Sequence, residues 1–551
     1  MALLVPCPLF AGSHIVATTA ALSTATPQTT AVGLSVLKRG GNAIDAAVAV
    51  SFALAVAHPQ AGNLGGGGFL VYYEASTKAV WTLDYREVAP AAAKRDMYIK
   101  PDGTTSEASR TGVLASGVPG SVAGLAAMHK KFGSRSWKEL MAPAVSLARE
   151  GIRVDAELER ELREAKDKRS IDQFSGTAAI FFPEGKAASA GSKLVQSDLA
   201  ATLERIATNG ADDFYDGETA KRLVETFRQA GGNLSFRDLR DYKAVWRAPL
   251  KIRFGEYSIY TMAPPSAGGL VLAQALNILS GYDLAAVGFQ TPGAVHLQAE
   301  AERRAYIDRN KYLGDPATTR IPLRDLLSAA RAAQWRRSIE STRATPTVHL
   351  TEPTLTVAEG DHTTHFTIVD SSGNIAAVTT TLNENFGSGF VVPGLGILMN
   401  NEMDDFTPAP GKPNRYGMIQ SSANAIEPGK RMVSSMTPTI VFKGDKPFLA
   451  LGTRGGPTIP TTVLQILLNV IVFKKSLVDA VAAPRYHQQG LPEDIACEIS
   501  LAPKPLLAAL REMGHGIQQR DSIGDIHAIG FENGKLVAVA DPRRGGAAGG
   551  F

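Results

Sequence analysis

The sequence predicts a protein of stacked sheet and helix layers around a large apolar core, and three observations carry this prediction. Strand-like runs such as 69–73 and 375–382 are separated along the chain by long helical segments. Apolar residues make up 44% of the 551 residues and charged residues 20%, a balance that excludes a disordered chain. No apolar stretch approaches the length needed to cross a bilayer, so no transmembrane segment is predicted and the apolar runs should be buried.

The first third predicts helices and strands packed closely together. Asn42 suits the N-cap of a helix over 43–57, which is apolar nearly all round and should therefore be buried. A glycine run at 65–68 leads into the strand at 69–73. The run lacks the Gly-Lys-Ser/Thr ending of a phosphate loop and precedes a strand, which argues against a nucleotide-binding protein. Backbone packed too closely for side chains explains the glycines better.

The middle of the chain has a helical pattern, whereas the C-terminal third has the pattern of strands. Residues 154–350 are more charged and mostly helical in pattern, and 157–168 is interpreted as a solvated helix face. The C-terminal third predicts two hairpins instead. One joins 366–370 to 375–382 through Ser-Ser-Gly-Asn, and the second, within 526–540, has an Asn-Gly turn.

Charge and cysteine content exclude several classes of protein. The formal net charge is only +4 and there is no long basic run, which argues against a nucleic-acid-binding surface. Cys7 and Cys497 are too few for a disulfide framework or a cysteine zinc site. His362 and His365 have no obvious third ligand, so no metal and no other cofactor is predicted. The first eleven residues are apolar without a basic n-region and make a poor secretory signal, which leaves the compartment open.

Several motifs that occur in a fixed order carry a family resemblance. They read GGNAIDAAVAV at 40–50, AVAHPQAGNLGGGGF at 55–69, DYREVAP at 84–90, THFTIVD at 364–370, NNEMDDF at 400–406, SSMTPTIV at 434–441 and DPRRGG at 541–546. Over nearly its whole length the chain resembles the γ-glutamyltranspeptidases, also called glutathione hydrolases. The resemblance implies an α+β fold of the N-terminal nucleophile hydrolase type, a four-layer αββα sandwich with two stacked central sheets.

The resemblance also implies that the chain cuts itself once, between His362 and Thr363. The expected products are a large fragment, 1–362, and a small fragment, 363–551, which form one interleaved core as a heterodimer. Thr363 then becomes an N-terminal nucleophile. The chemistry fits, because a free α-amino group has a pKa of about 7.7–8.0 and can accept the proton of the hydroxyl.

Further catalytic roles follow from the resemblance alone. Thr381 is expected to orient or activate Thr363. Gly455 and Gly456 are expected to offer backbone N–H groups to the tetrahedral oxyanion, where glycine permits close approach. Tyr416 belongs to a loop at 408–421 that matches a lid over the site in some members of the family.

The resemblance assigns a second group of residues to the α-carboxylate and α-ammonium of a γ-glutamyl donor. The carboxylate is expected to bind Arg86, Ser434 and Ser435, and the ammonium Asn383, Glu402 and Asp405. A guanidinium fork matches a carboxylate with two hydrogen bonds. An aspartate left without the ammonium would be a costly buried charge, so the set favours a zwitterionic donor.

The function implied is that of a γ-glutamyltransferase or glutathione hydrolase. Thr363 would take the γ-glutamyl group of glutathione or a related compound and pass it to water, an amino acid or a peptide. A glutaryl or cephalosporin acylase is the alternative, against which Arg86 and Asp405 argue. A catalytically silent, uncut homologue is a third hypothesis, disfavoured because every matched position is filled. The resemblance implies a periplasmic or extracellular location, whereas the missing signal leaves a cytoplasmic one open.

Overall fold

The computed structural model of this chain describes residues 13–350, 362–407, 421–498 and 502–551. The predicted lid residue Tyr416 and Cys7 lie outside these ranges. Cys497 is buried as a free thiol. Among the described residues, no helix has the length and apolar character that crossing a bilayer requires.

The strands of the described ranges vary from two to eight residues in length. They are β1 (His14–Ala17), β2 (Ala21–Thr24), β3 (Gly67–Glu74), β4 (Ala79–Asp84), β5 (Ile152–Arg153), β6 (Lys193–Leu194), β7 (Val245–Arg247), β8 (Leu250–Phe254), β9 (Tyr257–Thr261), β10 (Thr363–Val369), β11 (Ile375–Thr381), β12 (Val391–Val392), β13 (Ile397–Leu398), β14 (Thr439–Lys443), β15 (Lys446–Gly452), β16 (Tyr486–His487), β17 (Ile495–Cys497), β18 (Ile517–Gln519), β19 (His527–Glu532), β20 (Lys535–Ala540) and β21 (Ala547–Gly550).

The α-helices of the same ranges connect these strands. They are α1 (Pro27–Lys38), α2 (Ala43–Ala57), α3 (Ser121–Phe132), α4 (Trp137–Glu150), α5 (Ala156–Arg169), α6 (Ser175–Phe181), α7 (Ser197–Asn209), α8 (Asp212–Tyr215), α9 (Glu218–Gln229), α10 (Phe236–Asp241), α11 (Gly268–Leu279), α12 (Leu284–Val287), α13 (Pro292–Tyr312), α14 (Leu323–Leu326), α15 (Ala329–Arg337), α16 (Thr458–Ile471), α17 (Leu477–Ala482) and α18 (Lys504–Glu512).

Two seven-stranded sheets form the centre of the fold. One has the strand order β1-β20-β19-β15-β14-β9-β8 and the other β21-β2-β10-β11-β3-β4-β7, and neighbouring strands are antiparallel in both. Each sheet draws strands from both sides of residues 362 and 363. Fragments produced by a cut at that bond would therefore share both sheets.

Apolar side chains fill the space between the sheets and on both outer faces. Phe69 and Val71 of β3 pack with Ile440 of β14 and Ile529 of β19, which belong to the opposite sheet. One outer face is covered by a core that includes α2, and the other by a core that includes α11 and α16. The order of layers is helix, sheet, sheet, helix, as predicted.

Several local predictions are confirmed. Asn42 caps α2 in a reciprocal capping box with Asp45, and fourteen of the helix's residues are buried. The β19–β20 hairpin turns through Asn533 and Gly534, whose φ values of 51° and 77° are those of a type I′ turn. A Cβ on Gly66 would overlap the carbonyl oxygen of Thr381, so the glycine run does lie against neighbouring backbone.

One interpretation of residues 154–350 is confirmed and the other is wrong in part. The segment is mostly helical, from α5 to α15, although it also contains β6, β7, β8 and β9, of which the last two form one edge of a central sheet. The helix α5 is present, but it is not solvated along its whole charged face. Glu161 is buried, and its carboxylate lies 3.7 Å from Arg454 and 3.5 Å from Arg544.

Candidate active site

The predicted nucleophile lies at the start of β10, directly opposite Thr381 at the end of β11. The antiparallel register pairs Thr363 with Thr381, and their hydroxyl oxygens are 3.2 Å apart. Both side chains are buried. The hairpin therefore brings together two hydroxyls that are eighteen positions apart in the sequence.

Thr381 connects Thr363 to the peptide bond that precedes it. Its hydroxyl donates to the carbonyl oxygen of His362 at 3.5 Å and accepts from the backbone N–H of Asn383 at 2.8 Å. With the contact from Thr363, the hydroxyl uses its one donor and both acceptor positions. Such a group fixes the position of Thr363 and polarises the carbonyl of His362.

Gly455 and Gly456 form the turn between β15 and α16. Their φ values of 129° and 53° lie in the region that favours glycine, and a Cβ on Gly455 would overlap the hydroxyl of Thr458. A cavity of about 120 Å³ is lined by both His362 and Gly455. The predicted oxyanion turn therefore borders the same cavity as His362, the residue that precedes Thr363.

His362 and His365 make separate contacts. Nδ1 of His362 is bonded to the guanidinium of Arg454, and burial together with that cation lowers the pKa of His362 well below its ordinary value. The His365 ring lies between the hydroxyls of Thr379, at 2.8 Å, and Thr367, at 3.0 Å. Burial lowers the pKa of His365 well below its ordinary value as well, and His527 adds to the effect.

Within the described ranges, one group of residues has the composition of a metal site. His296, Glu300 and His515 place one ligand atom each within 4.8 Å of one another. The carboxylate of Glu300, however, lies 2.6 Å from Nη1 of Arg304, and Nδ1 of His296 is bonded to Nε2 of His515 at 2.8 Å. The second nitrogen of His296 lies 2.7 Å from the carbonyl of Glu340. A guanidinium already neutralises the carboxylate, so these contacts fit a buried hydrogen-bonded cluster better than a cation site.

Arg86 is the centre of a second set of predicted residues. It follows β4, and one Nη lies 2.6 Å from the carboxylate of Glu402 while the other bonds Asp405. Glu402 and Asp405 are held at the two ends of one turn of 3₁₀-helix, Glu402–Asp405. All three side chains are buried, so water screens their charges only weakly.

The predicted serines and Asn383 border this charged set. Arg86 donates to the carbonyl oxygen of Val433 at 3.2 Å, immediately before Ser434 and Ser435. Both serines are buried. Nδ2 of Asn383 donates to the carbonyl of Asn401 at 3.0 Å, next to Glu402, while its backbone contacts Thr381. Asn383 therefore lies between Thr381 and the residue that precedes Glu402.

Two acidic residues beside this set were not singled out from the sequence. Burial raises the pKa of Glu87 to about 8, against the opposing effect of Arg86, whose Nη1 lies 3.6 Å away. Burial raises the pKa of Asp404 to about 7, with Glu384 adding to the effect. Glu87 stands in the DYREVAP motif and Asp404 in NNEMDDF, so their positions were visible but their burial was not.

Comparison with known proteins identifies relatives over nearly the whole chain. A family model described as Gamma-glutamyltranspeptidase matches residues 29–551. The glutathione hydrolase proenzyme of Escherichia coli (strain K12) is 42% identical over 516 residues, which cover 93% of this chain and 88% of that protein.

The structure of this chain is also similar to solved structures of related enzymes. The crystal structure of cephalosporin acylase from Bacillus halodurans is similar with a TM-score of 0.86 and 28% identity, and covers 100% of this chain and 98% of that chain. The crystal structure of Helicobacter pylori gamma-glutamyltranspeptidase has a TM-score of 0.56 and 39% identity, and covers 58% of this chain and 91% of that chain. The predicted N-terminal nucleophile hydrolase fold is confirmed.

Proposed function

This chain belongs to the γ-glutamyltranspeptidase family of enzymes, and we propose that it cuts itself before Thr363 and then cleaves γ-glutamyl amides such as glutathione. The observation that carries the choice of donor is the buried set formed by Arg86, Glu402 and Asp405. The geometry around Thr363 supports the choice of nucleophile.

The charged set is the complement of an amino acid. The α-carboxylate of a donor takes Arg86, with the hydroxyls of Ser434 and Ser435 beside it. The α-ammonium takes the place of Arg86 between Glu402 and Asp405, with the amide of Asn383 near it. Each buried charge then exchanges one partner for another, which avoids the cost of a buried unpaired charge.

The chain cut begins from the contacts of Thr363 and Thr381. The Thr363 hydroxyl attacks the carbonyl carbon of His362, and Thr381 donates to the carbonyl oxygen as negative charge develops on it. The bond from that carbon to the nitrogen of Thr363 breaks, and the hydroxyl proton passes to the new amine. Water then hydrolyses the ester, which leaves a carboxylate on His362 and fragments 1–362 and 363–551 as a heterodimer.

Turnover uses the amine that the cut releases. The amine accepts the hydroxyl proton as Thr363 attacks the γ-carbonyl carbon, and the backbone N–H groups of Gly455 and Gly456 receive the oxyanion. The amine returns the proton to the leaving nitrogen, and a γ-glutamyl ester remains on Thr363. Water, an amino acid or a peptide then takes the γ-glutamyl group and frees the hydroxyl.

A glutaryl or cephalosporin acylase is the second candidate, and the similarity to the Bacillus halodurans enzyme favours it. A glutaryl donor has a carboxylate but no ammonium. It would draw Arg86 away from Glu402 and Asp405 and bring no cation to replace it, so each of these buried carboxylates would lose a favourable contact. The charged set therefore supports the γ-glutamyl donor over the glutaryl one.

The two candidates are separated by paired donors that differ only at the α-carbon. Purified, cut enzyme is given γ-glutamyl-4-nitroanilide and glutaryl-4-nitroanilide, and the release of nitroaniline is followed. We expect kcat/KM for the γ-glutamyl donor to exceed that for the glutaryl donor by about 100-fold, from about 3 kcal/mol for a hydrogen-bonded charged partner. Equal rates, or a preference for glutaryl, would replace the first candidate with the second.

A further inference from the structure

Two threonines hold the turn that joins β15 to α16. Thr453 follows β15 and Thr458 begins α16, so one of them stands on each side of Gly455 and Gly456. Both make hydrogen bonds to the backbone of the turn through their hydroxyls. Their role in turnover rests on the function proposed above, which assigns the oxyanion to this turn.

Thr453 fixes the peptide plane that carries the N–H of Gly455. Its hydroxyl donates to the carbonyl oxygen of Arg454 at 2.8 Å and accepts from the backbone N–H of Asp525 at 2.7 Å. Gly524 permits this approach, since a Cβ there would lie 2.7 Å from the hydroxyl oxygen. The carbonyl of Arg454 and the N–H of Gly455 belong to one planar trans peptide and point in opposite directions. The contact that holds the carbonyl therefore also sets the direction of the N–H.

Thr458 fixes the next peptide plane, which carries the N–H of Gly456. The carbonyl oxygen of Gly455 accepts from the hydroxyl of Thr458 at 2.9 Å and from its backbone N–H at 3.0 Å. The N–H of Gly456 points away from the opposite side of the same plane. Each threonine thus sets the direction of a different N–H group.

Glycine allows both planes to rotate unless other contacts hold them. An oxyanion donor stabilises the transition state most when it is aligned before charge develops, because it then does not have to reorient. We propose that Thr453 and Thr458 are positioning residues for turnover. They align the two N–H groups of the glycine pair, which in turn receive the oxyanion. The groups on the α-carbon of the donor bind the set around Arg86, so the threonines act on the reacting carbonyl and not on the affinity for the donor.

The test replaces each threonine by valine, which removes the hydroxyl, and by serine, which keeps it. Cut enzyme is assayed with γ-glutamyl-4-nitroanilide and glutaryl-4-nitroanilide. Since loss of one oxyanion donor costs a factor of about 100 to 1,000 in kcat, we expect its misalignment in Thr453→Val to lower kcat by about tenfold or more. Thr458→Val keeps its backbone N–H on the carbonyl of Gly455, so its kcat should fall by only about threefold to tenfold. In both variants KM should change by about twofold or less, and each serine variant should keep kcat within about twofold of the wild type.

Thr461→Val is the matched control, one turn further along α16. The hydroxyl of Thr461 is also buried, and it bonds the carbonyl of Thr458 at 2.9 Å and Nδ1 of His487 at 2.8 Å. Neither bond holds a peptide plane that carries a glycine N–H of the turn. The control should therefore keep kcat within about twofold of the wild type even if its Tm falls, whereas a loss caused only by weaker folding would appear in it as well.

Failure of the threonines and failure of the proposed function give different results. An unchanged kcat in Thr453→Val, a loss that appears in KM instead, or an equal loss in Thr461→Val would overturn the positioning role. If one valine variant stays uncut, the other decides, and two uncut variants would assign the threonines to folding or cutting instead. A wild type that cleaves only the glutaryl donor would replace the proposed function but leave this test in force, because either donor forms the same oxyanion. A wild type that cleaves neither donor would overturn both.

Discussion

Replacing Asp405 with asparagine removes one of the three carboxylates that lie within 4 Å of Arg86 and preserves the size of the side chain. Arg86 is 1% exposed and Asp405 3%, so solvent does not compensate for the lost charge. In the proposed complex, Asp405 faces the ammonium of the donor. A hydrogen bond to a charged group contributes about 1.5–3 kcal/mol, which corresponds to a loss of about 10- to 150-fold in kcat/KM.

The assay for Asp405→Asn uses the γ-glutamyl and glutaryl anilides side by side. The glutaryl donor has no ammonium to lose, so its kcat/KM should change by about threefold or less. Asp404→Asn is the matched control, because Asp404 belongs to the same turn but bonds Ser109 at 2.6 Å instead of Arg86. In this control, the ratio of kcat/KM for the γ-glutamyl donor to kcat/KM for the glutaryl donor should equal that of the wild type. Equal losses for both donors in Asp405→Asn would refute an ammonium partner at this position.

Three other changes follow from the same contacts. Arg86→Lys should raise the donor KM by about tenfold or more, because a lysine ammonium cannot make the two parallel hydrogen bonds that a guanidinium makes to a carboxylate. An unchanged KM would show that Arg86 does not bind the donor carboxylate. Thr381→Val should slow chain cutting by about tenfold or more, because it removes the donor to the His362 carbonyl, whereas Thr381→Ser should cut normally; equal rates would contradict this role. Burial raises the pKa of Glu87 to about 8, so the folded chain holds a proton that an unfolded carboxyl of ordinary pKa 4.5 releases. Stability therefore falls as pH rises from about 4.5 to 8, and Glu87→Gln should raise Tm more at about pH 8.5 than at about pH 5, whereas a gain independent of pH would refute the shift.

Local chemistry made part of the fold predictable. The Asn42 cap and the apolar run after it define α2 without reference to the rest of the chain. A short polar turn at 371–374 joins two strands, and its length sets the register that pairs Thr363 with Thr381. The site residues implied by the motifs were predictable for a different reason, since their order along the chain matched a family.

The sequence-based predictions failed where the structure depends on contacts between distant parts of the chain. The strand β8 alternates buried and exposed residues over only five positions, too few to stand out in a charged segment. The burial of Glu161 depends on Arg454 and Arg544, which lie far away in the sequence. The pattern of α5 shows that its face is charged but not which cations cover it.

The measurement that tests the central claim most directly is the intact mass and N-terminal sequence of purified protein after incubation at neutral pH, for the wild type and Thr363→Ala. The wild type should yield a fragment of about 20 kDa, the share of the 58.3 kDa chain that 363–551 represents, beginning Thr363-Thr364-His365-Phe366. Thr363→Ala should remain one chain without activity. A wild type that stays whole, a cut at another bond, or a cut Thr363→Ala chain would contradict the assignment of Thr363 as the nucleophile.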